Sequence, residues 1–319
     1  MTTYLFKRFL SFIPTLIGVS LVVFFAIRLI PGDAIIATLG TEAGMLTETQ
    51  RIALKKYYGL DKPAIQQYFI WGAGTLTGNL GFSVRHGKPV TQLIRERFPL
   101  TLELTILAVI ISLLIGIPIG LLSAIHQNSF IDILGRLFSL IGLALPNFLI
   151  ATLIIYVLSV YFHILPTSGD YASFLQDPVK NIQQLIFPAI TLGFAFSASV
   201  MRMTRSSMLE VLNQDFVRTA RSKGLVERRV IIRHAFRNAL IPVITLIGVE
   251  IGYLLGGAFI IEQIFALPGL GRLIINAVSQ REYALVQGSA LFIALNVLTI
   301  NLLVDLLYAA LDPRISYES

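Results

Sequence analysis

Few residues in this chain have the types and spacing that chemistry needs. Its four histidines, His86, His126, His163 and His234, stand apart, with no H-x-x-x-H or H-E-x-x-H spacing that would let two imidazoles share a metal. There is no cysteine, so neither a disulfide framework nor a thiolate metal site is available. The glycine-rich run GAGTLTGNLG (72–81) lacks the Gly-Lys-Ser/Thr of a phosphate loop, and PGLGR (268–272) reads as a turn at a helix end. No catalytic set and no metal-ligating set is expected. Two features remain. Glu250 stands alone in the apolar run LIPVITLIGVEIGYLLGGAF, and a carboxylate at membrane depth is costly enough to need a reason. Either it packs helices, hydrogen-bonded to Asn296, Asn301 or a neighbouring subunit, or it lines a water-filled path with Asn296 and meets an ammonium group or a metal cation there. The second feature is the basic stretch VRTARSKGLVERRVIIRHAFRNALIP (217–242), set between two apolar segments.

Composition dictates the elements that hold these residues. Of 319 residues, 55% are hydrophobic and 13% are charged, and the mean hydropathy is +0.77. A surface in water needs about 25% charged residues, so much of this one faces something else. Crossing the hydrocarbon core takes about 20 apolar residues. Six segments qualify: 9–30, 100–125, 137–162, 184–206, 239–262 and 284–310. The first follows Lys7 and Arg8, exceeds a signal peptide's apolar core and lacks a small-x-small cleavage site before Pro31-Gly32-Asp33; it reads as a retained anchor. Basic residues mark cytoplasmic loops. Lys7 and Arg8 place the N-terminus inside, and six crossings return the C-terminus to the same side. Segment 202–237 carries nine Arg and Lys residues against three carboxylates, most of the formal net charge of +7. The loop 163–183, with Asp170, Asp177 and Lys180, is acidic by one and falls outside.

The chain divides accordingly into an N-terminal helix (1–30), an extracytoplasmic helical segment (31–98), a membrane core (99–310) and a cytoplasmic tail (311–319). In the outer segment, Thr47-Glu48-Thr49-Gln50 has capping-box form, Leu54 with Tyr57 or Tyr58 makes an apolar face, and Gly59 is a stop signal. A second helix, Ala64 to about Trp71, follows Pro63. Trp71 and the tyrosines suit a cap at the membrane interface. Glu103, near the outer surface, and Asp305, near the inner one, read as structural. In the basic stretch, Leu209, Leu212, Phe216, Ala220 and Lys223 fall at helical spacing until Gly224 interrupts. Leu225, Val226, Val230 and Ile231 then alternate with Glu227, Arg228, Arg229 and Arg233. This predicts two short amphipathic helices joined at a glycine on the cytoplasmic face, a surface for a docking protein, for anionic lipid, or for both.

RTARSKG followed by RHAFRNALIP resembles the cytoplasmic signature of permease subunits in binding-protein-dependent ABC importers, E-A-A, three residues, glycine, and later I-x-L-P. Arg218-Thr219-Ala220 stands where E-A-A stands, and Gly224 keeps the spacing. Where I-x-L-P would fall, ten residues beyond Gly224, this chain has His234-Ala235-Phe236-Arg237. The missing acid and distal proline are similar to the form in the first membrane subunit of the dipeptide/oligopeptide/nickel permeases. IPTLIGVSLVVFFAIRLIPGD, GLDKP with QYFIW, NLGFS, RFPLTLEL, LPTSG, FPAITLG, GGAFIIEQIFALPGLGRL and NLLVDLLYAALDPR resemble that branch in order and spacing along almost the whole chain.

The resemblance implies an all-α integral membrane protein of six transmembrane helices with the type I ABC importer permease fold, whose core is 99–310. It implies a coupling helix around 213–232 that meets an ATPase groove through Arg218, Thr219, Ala220, Gly224, Leu225 and Arg228. No cofactor is implied in this chain; ATP and Mg belong to partner ATPase subunits. The implied partners are a second, homologous permease, two ATP-binding-cassette ATPases, an extracytoplasmic solute-binding protein and membrane lipid, with no nucleic acid. The implied place is the bacterial cytoplasmic (inner) membrane. The implied cargo is peptide, with nickel or another small cationic solute as the alternative. A stand-alone secondary transporter would instead show inverted repeats and paired broken helices, and an intramembrane enzyme a nucleophile or metal cluster at membrane depth.

Overall fold

The computed structural model describes residues 2–29, 47–50, 52, 61–164 and 171–311. Pro31-Gly32-Asp33, Leu54, Tyr57, Tyr58, Gly59, LPTSG and the tail beyond 311 lie outside the described residues. The expected all-α character needs one small correction. Phe82–Ser83 (β1) and Lys88–Pro89 (β2) pair antiparallel, with Phe82 opposite Pro89.

Among the described residues, five helices are long and apolar enough to cross a membrane, and six if one bent pair counts as a single span. The first is α1 (Thr2–Leu29), followed by the short α2 (Ala64–Leu76). Then comes α3 (Val90–Ile125), which starts ten residues before the segment that hydropathy marks out. Its first turns are amphipathic, with Leu93 and Ile94 buried and Arg95 and Glu96 exposed, so an apolar window misses them. Where hydropathy predicts one span over 137–162, the chain makes two 15-residue helices, α4 (Phe130–Ala144) and α5 (Asn147–Tyr161), bent by 97°. Each is about 22 Å long, short of the ~30 Å hydrocarbon core. The cause is local. Pro146 has no N–H and excludes helical backbone at the residue before it, and Leu145 lies at φ −83°, ψ 124°. Apolar composition runs through the break, so hydropathy does not register it.

The next long helix is α6 (Pro178–Leu212), started by Pro178 in its first turn and by Asp177, which caps the Lys180 N–H at 3.0 Å. Two short helices follow, α7 (Asp215–Ser222) and α8 (Glu227–Arg229). A seven-residue π-helical stretch, Val230–Phe236, leads without a break into α9 (Arg237–Gly257). Beyond it lie α10 (Phe259–Ile264), α11 (Leu270–Ser279) and α12 (Tyr283–Leu311).

By internal packing the chain forms two units. One comprises Met1–Thr101 with Pro268–Leu298. Its core joins Ile27 of α1, Val90, Leu93 and Ile94 of α3, Leu270, Leu273 and Ala277 of α11, and Leu285 and Val286 of α12. Ahead of α2, the capping box forms in both directions: Thr47 Oγ1 accepts from the Gln50 N–H at 3.3 Å, and Gln50 Oε1 accepts from the Thr47 N–H at 2.9 Å. Helix α2 lies on α1. The fully buried Phe24 ring meets Tyr68 and Trp71 at 5.3 and 5.6 Å, and Arg28 donates to Gln67 Oε1 at 2.9 Å. Trp71 thus packs on a helix.

The other unit comprises Leu102–Leu267 with Thr299–Ser319. Its centre is α6, which buries residues along most of its length. Small residues let neighbours reach its backbone. A Cβ on Gly116 or Gly120 of α3 would stand 2.7 or 2.6 Å from the carbonyl oxygen of Ser197 or Met201, and one on Gly142 of α4 would stand 2.7 Å from the Ala198 Cβ. On α9, a Cβ on Gly248 would meet Val304 of α12.

Candidate coupling surface and path residues

Helix α7 has one apolar edge and a polar remainder, and Val217 and Ala220 are its buried residues. They join Ala124 at the end of α3, Met208 and Val211 at the end of α6, and Val230, Ala235 and Ala239 beyond the turn, in one apolar cluster. The sequence pattern favoured Phe216, which is exposed, and missed Val217. The Val217–Ala220 spacing of three between polar neighbours was the available signal.

Gly224 ends α7 in a Schellman motif. Its N–H donates to the Arg221 carbonyl at 2.9 Å, and the Leu225 N–H donates to the Ala220 carbonyl at 3.4 Å. The glycine takes φ +75°, which L side chains adopt only with strain, and a Cβ there would touch nothing. Conformation, not space, requires glycine here. The apolar contact that accompanies such a motif is supplied by Leu225, packed on the cluster that contains Ala220. Arg221 and Glu227 bridge the turn with two hydrogen bonds, 2.7 and 3.1 Å.

The sequence-predicted contact residues therefore separate. Arg218, Thr219, Gly224 and Arg228 are exposed and Leu225 is half-buried. Ala220 is only 7% exposed and sits in the chain's own core. It positions the surface from beneath.

Sequence reasoning also missed a buried ion pair between α4 and α6. Asp132 of α4 is fully buried and takes two hydrogen bonds from Arg205 of α6, at 2.6 Å to Nε and 2.8 Å to Nη2. It also accepts from the Asn128 N–H at 3.0 Å. A bidentate guanidinium and a backbone donor together offset the cost of burying the carboxylate. Ser129-x-x-Asp132 has the form of a helix-start box, so the helix start was legible although the distant partner was not.

Glu250 is half-buried on α9, with Ser199 of α6 as its polar neighbour. One turn along the same helix contact, Phe196 and Tyr253 meet edge to face at 6.3 Å. Asn296 donates to the Phe292 carbonyl of its own helix at 2.8 Å. Glu103, expected to be structural, gathers the residues leading into α6: it accepts from the Tyr171 hydroxyl at 2.7 Å, the Phe174 N–H at 3.1 Å and Asn181 Nδ2 at 2.6 Å. Burial, and then the bond to Glu103, pushes the Tyr171 phenol above its ordinary range. Of the histidines, His86 lies 2.9 Å from Ser83 Oγ and 3.6 Å from the buried Glu282, which also accepts from Ser83. Among the described residues no three His, Asp or Glu side chains group as a metal site.

Among the described residues, several helices of membrane length and apolar composition define an integral membrane protein. Residues 116–317 match the family described as "Binding-protein-dependent transport system inner membrane component", and residues 1–105 match its N-terminal counterpart. The chain belongs to that family and is a multi-pass inner-membrane permease subunit. It is 40% identical, over an alignment of 342 residues, to the dipeptide transport system permease protein DppB of Escherichia coli K12. It is 39% identical over 319 residues to the glutathione transport system permease protein GsiC of Salmonella typhimurium LT2, and both comparisons cover 100% of each chain. A chain of the MetNI methionine ABC transporter, in inward facing conformations, shares the fold at a TM-score of 0.51 and 16% identity, over 69% of this chain and 97% of that one.

Proposed function

We propose that this chain is one of two homologous permeases in an ABC importer for peptides, with a solute-binding protein outside and two ATPases inside that bind ATP and Mg. Full-length similarity to dipeptide and glutathione permeases supports the cargo class. In this reading the α4–α5 pair counts as one of six spans, both termini are cytoplasmic, and residues 31–98 face outward. The core of 99–310 carries the path, which Glu250 and Asn296 border.

The ledge from α7 through the Gly224 turn is the observation that carries the mechanism. Arg218, Thr219, Gly224, Leu225 and Arg228 make the ATPase contact, with Ala220 and Val217 fixing the ledge to the ends of α3 and α6. ATP binding draws the ATPases together and displaces the ledge. Because the ledge shares a packed core with α3, α6 and the start of α9, those helices move with it. The two permeases then rock between inward- and outward-facing states.

The test is substitution at Gly224. Gly224→Trp, strained by about 1–2 kcal/mol in left-handed backbone and bulky on the contact, is expected to insert normally but to lose the ATPase subunits and uptake. Gly224→Asn, which tolerates that backbone, is expected to keep most activity. Full uptake and ATPase stimulation in Gly224→Trp would overturn the assignment.

A further inference from the structure

Helix α2 carries no charged residue from Ala64 to Leu76, and it is apolar on two sides. Tyr68 and Trp71 pack on α1. Ile65, Phe69 and Leu76 recur at helical spacing on another side, and they are 63%, 68% and 91% exposed. We propose that α2 is embedded in the outer leaflet of the bilayer, with this stripe against acyl chains, instead of resting on the membrane surface. The choice of leaflet rests on the orientation proposed above; the depth does not.

Helix α1 supplies the ruler. Its apolar run, 9–30, starts after Lys7-Arg8 and stops before Pro31-Gly32-Asp33. That run rises about 33 Å, close to the ~30 Å hydrocarbon core. Ser20 therefore lies about 15 Å inside its outer end, and Phe24 about 9 Å inside. The contacts of α2 fall at these levels. The hydroxyls of Tyr68 and Ser20 are 2.8 Å apart. The Tyr68 ring meets Phe24 at 5.3 Å and Phe25 at 6.2 Å, and the Trp71 ring meets Phe24 at 5.6 Å. Arg28 starts nearer the end, but its guanidinium folds back over the Phe24 ring, 3.4 Å from the centroid, to donate to Gln67. Side chains on a helix tilt toward its N-terminus, which takes these rings deeper still. A side chain anchored above the headgroups does not reach Ser20.

The backbone of α2 suits such a solvent. Hydrocarbon offers no water to an unpaired N–H or C=O, so both ends of an embedded helix need partners within the chain. At the start, the Pro63 carbonyl accepts from the Gln67 N–H at 3.1 Å, and the Lys62 carbonyl from Gln67 Nε2 at 2.8 Å. In the last turns, the Trp71 and Gly74 carbonyls accept from the hydroxyls of Thr75 and Thr77, at 2.9 and 2.8 Å. The Thr75 carbonyl accepts from the Gly78 N–H at 3.0 Å.

Two proteins compete with lipid for the stripe. A solute-binding protein arrives from water and stops at the headgroups, above the level of Phe24. A second permease can reach that level. Helix contacts within membranes favour small residues, whereas this stripe presents Ile, Phe and Leu with one glycine, Gly72, between them. Bulk of that kind fits acyl chains.

The whole transporter, otherwise free of cysteine and placed in nanodiscs, provides the test. Spin labels at Phe69→Cys and Leu76→Cys are expected to meet oxygen and to be shielded from a nickel chelate, as a label at Val22→Cys of α1 is. An impermeant maleimide is expected to label Lys62→Cys and to miss Phe69→Cys. If Phe69→Cys fails to assemble, Ile65→Cys reads the same stripe. Chelate access and labelling equal to Lys62→Cys overturn the proposal, because α2 then lies in water. Shielding from oxygen and chelate together also overturns it, because a protein then covers the stripe. Sided labelling of Ser222→Cys and Ser173→Cys is a separate readout: reversed sides there overturn the leaflet and the orientation while the depth stands.

Discussion

Asp132 and Arg205 stabilise each other only as a pair. Removing Arg205 leaves the fully buried Asp132 carboxylate with only the exposed Arg136, 3.8 Å away, at a cost of up to about 3–5 kcal/mol. Asp132→Ala or Arg205→Met should therefore lower the thermal midpoint of the complex sharply, and the double variant should recover part of the loss. Additive losses would show that the two groups do not depend on each other. Glu250 poses a different question, since its neighbour Ser199 and the adjoining Phe196–Tyr253 contact set a packing role beside the proposed path role. Gln keeps a polar group beside Ser199, so Glu250→Gln is expected to assemble and transport near the unaltered level, whereas Glu250→Leu should reduce complex yield. A selective loss of uptake in Glu250→Gln, with yield intact, would give the carboxylate's charge a direct part in passage. Residues of this kind were unevenly legible in the sequence. Gly224 was readable because a glycine that ends a helix is a local signal. The bond of Asp132 to a side chain 73 positions away leaves no local trace, and neither does Ser199 as the neighbour of Glu250.

Among the elements, close approach to α6 is the feature most open to test. A Cβ at Gly116 or Gly120 would fall within 2.7 Å of an α6 carbonyl oxygen, and a backbone cannot yield there as a flexible side chain can. Gly116→Ala/Gly120→Ala should lower the thermal midpoint by several degrees, corresponding to about 1–3 kcal/mol of overpacking. An unchanged midpoint would mean that α3 can withdraw freely. The helices themselves were legible because apolar runs of this length have few other uses. Their ends and the α4–α5 break were not. Hydropathy averages over a window, and Pro146 changes backbone geometry without changing polarity. One broken helix does not make the paired, symmetry-related breaks that the secondary-transporter alternative requires.

At the scale of the whole molecule, sidedness remains the reading to test. The chain has no cysteine, so single cysteines at Ser222 and Ser173 give clean signals. An impermeant maleimide should label Ser222→Cys only from the cytoplasmic side and Ser173→Cys only from outside. Labelling of both from one side would require an odd number of crossings between them to be abandoned, and with it the count of six. The π-helical stretch at 230–236 bears on how such a chain can change length over generations. A π turn carries one residue more than an α turn in the same place. Loss of one codon there lets the wide turn tighten while the helix on either side keeps its rotational phase. The same loss at Leu246, inside α9, would rotate everything beyond it by about 100° and swing Glu250 away from Ser199. Single-codon deletions should therefore survive in Val230–Phe236 and be purged a few turns further on.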